Sequence, residues 1–142
     1  MILADEAATA ALGEQIARCL RKGDAVTLSG PLGVGKTALA RAILKGLGHD
    51  GEVPSPTFAI VQPYDHLPLP AWHADLFRIE EPEELDEIGL SVAADGVLIV
   101  EWPERAAGWP GALALTLQFA PNDGRRLTAD VPASWQDRWP PR

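Results

Sequence analysis

The chain has 142 residues, of which 46% are hydrophobic and 23% are charged, as is typical of a globular protein with a buried core. Its 20 acidic and 12 basic side chains give a net charge of −8, so we expect little direct binding to nucleic acid. One cysteine excludes an internal disulfide, and neither a membrane-spanning stretch nor a secretory signal is visible; we therefore expect a single cytoplasmic domain over residues 1–142.

The first part of the chain predicts two helices on either side of a short strand. Residues 5–22 form an amphipathic pattern in which apolar residues recur every four positions, and Gly23 follows as a stop signal. A β-prone run covers residues 25–29. Residues 38–45 then predict a second helix with one apolar face.

The rest of the chain predicts mainly strands. These are expected at residues 58–61, 71–79, 97–100, 113–119 and 126–131. The first two form a plausible hairpin, as do the last two, while the continuous apolar run 97–100 is typical of a strand buried on both faces. Pro82 and its acidic neighbours predict a short helix at 81–85. Residues 132–142 have no assigned structure.

Residues 30–37 match the phosphate-binding pattern G-x-x-x-x-G-K-[ST] at every position. The strand before this loop and the helix after it provide the setting in which backbone amides converge on a phosphate at a helix N-terminus. Lys36 can reach the outer phosphates, and the Thr37 hydroxyl can ligate Mg²⁺. The residues expected to contact the nucleotide here are Gly30, Leu32, Gly33, Val34, Gly35, Lys36, Thr37 and Ala38.

This motif predicts the fold class and the ligand. We expect a three-layer α/β domain of the P-loop NTPase type, with a mostly parallel central sheet extended by antiparallel hairpins. The sequence contains no Asn-Lys-x-Asp segment of the kind that selects guanine. ATP with Mg²⁺ is therefore the expected ligand.

Glu101 is the candidate metal-binding acid, because it ends the buried run 97–100 beside the phosphate loop. A solvated glutamate at a strand end is the alternative. His73 and Asp75 share one face of a predicted strand, where an acid and an imidazole could orient a water or form a structural hydrogen bond. Thr57 could turn its hydroxyl toward the γ-phosphate, or could only begin a strand.

Four arginines are further candidates for phosphate or partner contacts, although most exposed arginines in proteins make neither. They are Arg78, Arg105, Arg125 and Arg126. Trp102, directly after the candidate metal acid, could pack on a base, contact a partner or be buried.

Several motifs in a fixed order resemble one family. They are Leu12-Gly13, residues 30–37, Ser55-Pro56-Thr57-Phe58, residues 73–78, Glu83-Glu84-Leu85, Gly89 and residues 101–104. From about residue 5 to residue 131 the chain resembles the TsaE family, the small ATPases of bacterial tRNA threonylcarbamoyladenosine synthesis. It departs from the family pattern at Phe77, where tyrosine is usual, and at Ala38, where a second threonine is common.

The resemblance implies an ATP–Mg²⁺ site with Thr37 and Glu101 near the metal and Asp75 important for hydrolysis. We assign catalytic roles to Lys36, Thr57 and Asp75. Nucleotide contacts are also expected from Glu6, Arg105 and Arg125, the last in the turn after Gly124.

The resemblance also implies a partner, the TsaD–TsaB pair that transfers a threonylcarbamoyl group to the tRNA adenosine beside the anticodon. The family binds this pair and is thought to reset it by hydrolysing ATP, without performing the transfer. A small-molecule kinase and a nucleotide-binding scaffold without turnover are the alternatives.

Overall fold

The computed structural model describes residues 1–53, 61–78, 95–105 and 109–141. The strands are β1 (Ile2–Leu3), β2 (Ala25–Ser29), β3 (Val61–Tyr64), β4 (Ala71–Asp75), β5 (Val97–Glu101), β6 (Leu113–Phe119) and β7 (Arg125–Asp130). The helices are α1 (Glu6–Cys19) and α2 (Lys36–Gly46), with single 3₁₀ turns at Pro103–Arg105 and Ala133–Trp135. None of the helices in these ranges is long and apolar enough to cross a membrane.

The strands form one sheet in the order β1-β7-β6-β2-β5-β4-β3. The central strands β6, β2, β5 and β4 run parallel to one another, whereas β3, β7 and β1 pair antiparallel at the two sides. The predicted α/β class, with a mostly parallel centre and antiparallel hairpins, is confirmed. Since β2 is the middle strand of the seven, the loop that follows it emerges at the centre of the row of strand ends.

Both α-helices of the described ranges pack on the same face of the sheet. Their apolar residues join a core with alternate residues of the central strands, among them Val26, Leu28 and Ile99. All of β5 is buried, as predicted for 97–100, and its Leu98 and Val100 contact Trp72 and other side chains on the opposite face. The helix predicted at 81–85 lies outside the described residues, and the single-domain expectation stays a prediction.

The two helices pack closely because small residues face each other between them. A Cβ atom added to Gly13 would overlap the Cβ of Ala42, and one added to Gly46 would lie 2.6 Å from the Cβ of Ala17. Glycine at both positions therefore sets the distance between α1 and α2, which places the start of α2 relative to the sheet.

Helix α1 ends earlier than the predicted residue 22. Leu20 adopts an extended conformation and turns its side chain into the core. The Asp24 carboxylate accepts a hydrogen bond from the Arg21 amide at 2.7 Å, and Gly23 has φ of 91°. These contacts favour a tight turn over a further helical turn, because buried apolar surface and side-chain hydrogen bonds outweigh helix propensity.

Strand β4 also ends earlier than predicted, at Asp75 rather than Ile79. The Asp75 Oδ1 atom accepts a hydrogen bond from the Phe77 amide at 3.0 Å. An aspartate that binds the backbone two residues later stabilises a turn, so the chain leaves the sheet here.

The C-terminal segment, unassigned from the sequence, packs against the end of α1. Trp135 is fully buried. The Arg138 guanidinium donates to both oxygens of Asp24, at 2.6 and 3.2 Å, and to the Cys19 carbonyl at 2.8 Å. It also lies 4.0 Å from the centre of the Trp135 ring. This ion pair therefore fastens the tail to the turn between α1 and β2.

We predict that Arg138→Ala lowers the stability of the protein by about 3 kcal/mol, roughly 10 °C in Tm, because it leaves the Asp24 carboxylate without its cation. The side chains of this pair are only 7% and 12% exposed. Arg126→Ala is the matched control, since Arg126 is exposed on β7 and its loss should change Tm little. Equal thermal denaturation midpoints for the two variants would contradict the prediction.

Candidate functional site

The loop over residues 30–35 connects β2 to α2 and is built around glycines. Gly30 has φ of 143°, and a Cβ atom there would collide with the Leu117 carbonyl of β6. Gly35 has φ of 115°, which a residue with a side chain adopts only under strain. A Val34 amide to Pro31 carbonyl hydrogen bond of 3.2 Å closes the loop on itself. The loop therefore runs against the sheet while its outer side stays open.

The two helices differ at their N-termini. Helix α1 is capped by Asp5, whose carboxylate accepts from the Ala8 amide at 2.9 Å, and it carries Glu6 in its first turn. Helix α2 begins after Gly35 with no side-chain cap and no acidic residue in its first turn. The first amides of a helix lack partners within it and carry a partial positive charge. The start of α2 is thus suited to an external anion.

Lys36 is buried beneath this loop, with 4% of its surface exposed. Its ammonium donates to the carbonyl oxygens of Gly30 and, at 3.2 Å, Pro31. It also lies 3.6 Å from the centre of the Trp102 ring, a cation–π contact. Burial lowers the pKa of Lys36, and the nearby carboxylates of Glu101, Glu104 and Asp75 oppose that shift.

A buried carboxylate joins the start of α2 to β5 and β4. Glu101 is 2% exposed; its Oε1 atom accepts from the Thr37 hydroxyl at 2.7 Å, and its Oε2 atom lies 2.6 Å from Nε2 of His73. His73 is fully buried. Glu101 is therefore not a solvated residue at a strand end, and its carboxylate lies beside the Thr37 hydroxyl. The metal-binding role of these two residues stays a prediction.

Asp75 and His73 share a strand face, as predicted, but the expected side-by-side pair is wrong. Residues two apart on a strand are separated by about 6.6 Å. In the register of β4 and β5, His73 lies opposite Ile99 and Asp75 lies opposite Glu101, so the His73 ring reaches Glu101 diagonally across the two strands. Asp75 binds the Phe77 amide instead. Burial, assisted by the charge of Glu101, raises the pKa of Asp75, and the hydrogen bond from Phe77 opposes this rise.

Two of the four predicted arginines have contacts at or near the loop. Arg125 lies beside it, since its Nε donates to the Val34 carbonyl at 2.8 Å. The exposed Arg105 lies over the ring of Phe77, 5.3 Å from its centre, and Phe77 in turn contacts Trp102 at 4.9 Å between ring centres. Arg105 is thus joined to the Lys36 environment through two aromatic rings.

The remaining predicted residues are brought together only in part. Leu32 is 74% exposed at the tip of the loop, and Ala38 is exposed on the first turn of α2. Glu6 is exposed at the start of α1, and no hydrogen bond to the phosphate loop is recorded for it in the described part of the chain. Thr57 lies outside the described residues.

Two features of the site were not predicted as contacts. One is the His73–Glu101 hydrogen bond, and the other is the Trp102 ring beneath Lys36. The signal for the first was the alternation of His73 and Asp75 combined with a parallel neighbour, which places all three side chains on one face. Trp102 has φ of 57°, a left-handed conformation that sequence periodicity does not reveal.

The atoms that could ligate a metal ion at this site are the hydroxyl oxygen of Thr37 and the carboxylate oxygens of Glu101. Hard divalent cations prefer such atoms, and Mg²⁺ in phosphate sites takes one or two protein ligands with water and phosphate completing its coordination. Within the described ranges, no group of three or more His, Cys, Asp or Glu residues could hold a metal by itself. A cation here would therefore need further ligands from a bound molecule.

Residues 3–127 match the family model described as threonylcarbamoyl adenosine biosynthesis protein TsaE. The chain belongs to the TsaE family. The TsaE of Haemophilus influenzae is 37% identical over 111 residues, covering 73% of this chain and 70% of that protein. The TsaE of Streptomyces coelicolor is 43% identical over 97 residues, covering 66% of each chain.

TsaE similarity extends further along the chain in other comparisons. The TsaE of a Nostoc species is 32% identical over 138 residues, covering 93% of this chain and 85% of that protein. The crystal structure of Bacillus subtilis YdiB superposes with a TM-score of 0.77 at 27% identity, covering 96% of this chain and 87% of the other. The family is one of tRNA threonylcarbamoyladenosine biosynthesis, which confirms the family and fold expected from the motifs.

We predict that Asp75→Asn stabilises the protein without added Mg²⁺ at neutral pH. Because the folded-state pKa of Asp75 lies above its ordinary value of 3.8, ionisation costs stability as pH rises through that value toward the folded pKa. Asparagine keeps an oxygen for the Phe77 amide and carries no charge. The difference in Tm between variant and wild type should therefore be positive at pH 7 and shrink on acidification below 3.8; a difference independent of pH would contradict the assignment.

Proposed function

We propose that this TsaE-family protein binds ATP with Mg²⁺ and hydrolyses it as an accessory of the TsaD–TsaB transferase pair. One observation carries the proposal: the buried ammonium of Lys36 and the Thr37–Glu101 pair meet at the uncapped start of α2. An anion-binding helix end, a cation and an oxygen donor pair are the parts that phosphoryl transfer requires in P-loop proteins.

Lys36 is the residue that would pair with the outer phosphates. It is held by carbonyl oxygens of its own loop, so an arriving phosphate replaces neutral acceptors with charged ones. Hydrogen bonds to charged groups are about twice as strong as neutral ones. The exchange therefore favours the bound state although the loop loses two hydrogen bonds.

The charges around Lys36 support a divalent cation. Three carboxylates, Glu101, Glu104 and Asp75, act on this one ammonium. A triphosphate would add further negative charge to this group, which is unfavourable in a partly buried site. A bound Mg²⁺ supplies charge neutralisation on the phosphate oxygens, and Thr37 and Glu101 have the oxygen atoms to hold it.

Asp75 is the residue suited to orient the attacking water. Its Oδ1 atom is held by the Phe77 amide, while no hydrogen bond is recorded for Oδ2 among the described residues. Burial raises the pKa of this carboxyl, which makes its anion a better proton acceptor than a solvated aspartate. Thr57 was assigned a γ-phosphate contact from the sequence, and this remains a prediction.

Membership of a tRNA-modification family supports the choice of partner over a small-molecule acceptor. In this proposal ATP hydrolysis resets the TsaD–TsaB pair between turnovers, and the threonylcarbamoyl transfer takes place on that pair. The net charge of −8 disfavours extensive contact with the tRNA backbone.

We expect Lys36→Ala to weaken ATP binding by at least a hundredfold, since the phosphates lose their buried cation and charge-assisted hydrogen bonds are among the strongest in proteins. Lys45→Ala on the last turn of the same helix is the control, because it removes an equal charge at an exposed position. Isothermal titration calorimetry with ATP and Mg²⁺ gives both affinities. Wild-type affinity in Lys36→Ala would rule out this site as the nucleotide site.

Phosphate release measured with and without purified TsaD–TsaB tests the function as a whole. We expect slow release from the protein alone, faster release with the pair, and loss of that stimulation in Asp75→Asn with ATP still bound. Stimulation by a small acceptor alone would indicate a kinase. No release under any condition, with ATP bound, would indicate a scaffold.

A further inference from the structure

The His73 imidazole is the buried polar group near the site that has no assigned role. It is fully buried, and its Nδ1 atom has no hydrogen-bond partner among the described residues. Its recorded hydrogen bond joins Nε2 to the Glu101 Oε2 atom at 2.6 Å. Burying a polar ring with one partner costs free energy that an apolar side chain would not. The one contact therefore accounts for a histidine at this position.

The proton assignment follows from the partners. Glu101 already accepts a hydrogen bond from the Thr37 hydroxyl on Oε1. A carboxylate needs a donor on its second oxygen, so Nε2 of His73 carries the proton. The unpaired Nδ1 atom then bears a lone pair, which is less costly to bury than an unpaired N–H group.

Each of the two hydrogen bonds engages a different oxygen of the Glu101 carboxylate. Oε1 is shared with Thr37 on the loop side, and Oε2 is occupied by His73 on the β4 side. Tilting the plane of the carboxylate would weaken both bonds. His73 therefore holds the Glu101 carboxylate in the orientation that directs one oxygen toward the start of α2.

We propose that His73 is a positioning residue that orients Glu101 for Mg²⁺, so that it sets the contribution of the metal to nucleotide affinity. This inference rests on the proposed function. Groups that orient a metal ligand through its other atoms typically change metal affinity by about 10- to 100-fold when they are removed. His73 would act without touching nucleotide or metal.

Two substitutions at this position separate positioning from packing. His73→Leu fills the space without a donor, whereas His73→Gln places an amide N–H where Nε2 lies. Leu113→Ala on β6 is the control for lost stability, because Leu113 is fully buried at the end of the sheet away from the loop. Each variant is titrated with the non-hydrolysable analogue AMP-PNP, once with Mg²⁺ and once with EDTA.

In wild type we expect AMP-PNP to bind more tightly with Mg²⁺ than with EDTA. In His73→Leu this gain should fall by about tenfold, while the affinity in EDTA stays within about twofold. His73→Gln should recover most of the gain, and Leu113→Ala should keep it despite a lower Tm. An unchanged gain in His73→Leu, or no recovery in His73→Gln, would overturn the role of His73 and leave the proposed function intact.

Absence of any Mg²⁺-dependent gain in wild type would overturn both proposals. A second measurement applies even where His73→Leu fails to fold. Long-range ¹H–¹⁵N spectra of the metal-free protein should show the Nε2–H tautomer for His73, assigned by comparison with His73→Gln among only three histidines. Glu101→Gln should shift this Nε2 resonance. An Nδ1–H tautomer, or no shift, would overturn the inference.

Discussion

The Glu101 carboxylate is the point on which the site depends. It is almost inaccessible to water, and each of its oxygens lies in one short hydrogen bond, with Thr37 and with His73. Those residues lie on α2 and β4, and Glu101 ends β5. One buried acid therefore requires three elements to keep their relative positions. The backbone reinforces this arrangement, because the Leu76 amide donates to the Glu101 carbonyl and the Trp102 amide to the Leu28 carbonyl.

The electrostatic design of the loop follows from the contrast between the two helices. In helix α1 the side chain of Asp5 accepts a hydrogen bond from a free amide of the first turn. Helix α2 follows Gly35, which has no side chain to accept such a hydrogen bond from the first amides of α2. Lys36 sits beside these amides, bound to carbonyl oxygens and stacked on Trp102. The protein thus places one ammonium and the free amides of a helix start beside three carboxylates, Glu101, Glu104 and Asp75, in a chain whose net charge is strongly negative. A helix start of this kind is suited to an external anion.

Periodicity and motif spacing were sufficient to predict the order of most elements. The continuous apolar run of β5 and the pattern of residues 30–37 are local signals, so β5, β2 and α2 were found near their observed bounds. Helix α1 and strand β4 were predicted too long because their ends are fixed by side chains of Asp24 and Asp75 that bind the backbone. A hydrogen bond from the backbone to a side chain then replaces a backbone hydrogen bond of the helix or strand, and the periodicity of the sequence does not reveal this.

The site residues that belong to a local sequence motif could be predicted, whereas the contacts between distant segments of the chain could not. Lys36 and Thr37 follow from the motif, and Glu101 from its place at a strand end. The partner of His73 could not be found, since it required the parallel register that sets Asp75 opposite Glu101. The tail was missed for a similar reason. Arg138 binds Asp24, more than a hundred residues earlier in the chain, and no local pattern records that contact.

The order of the strands in the sheet has a consequence for when the phosphate loop acquires its structural support during synthesis of the chain. Strand β2 precedes the phosphate loop, yet both of its hydrogen-bonded neighbours, β5 and β6, are made much later. A nascent chain that has emerged only as far as residue 112 exposes one unpaired edge of β2, and the Gly30 turn still lacks the β6 backbone that it rests against. In ribosome-bound chains of that length the loop should therefore lack part of its support, which is completed only when β6 and β7 join the sheet.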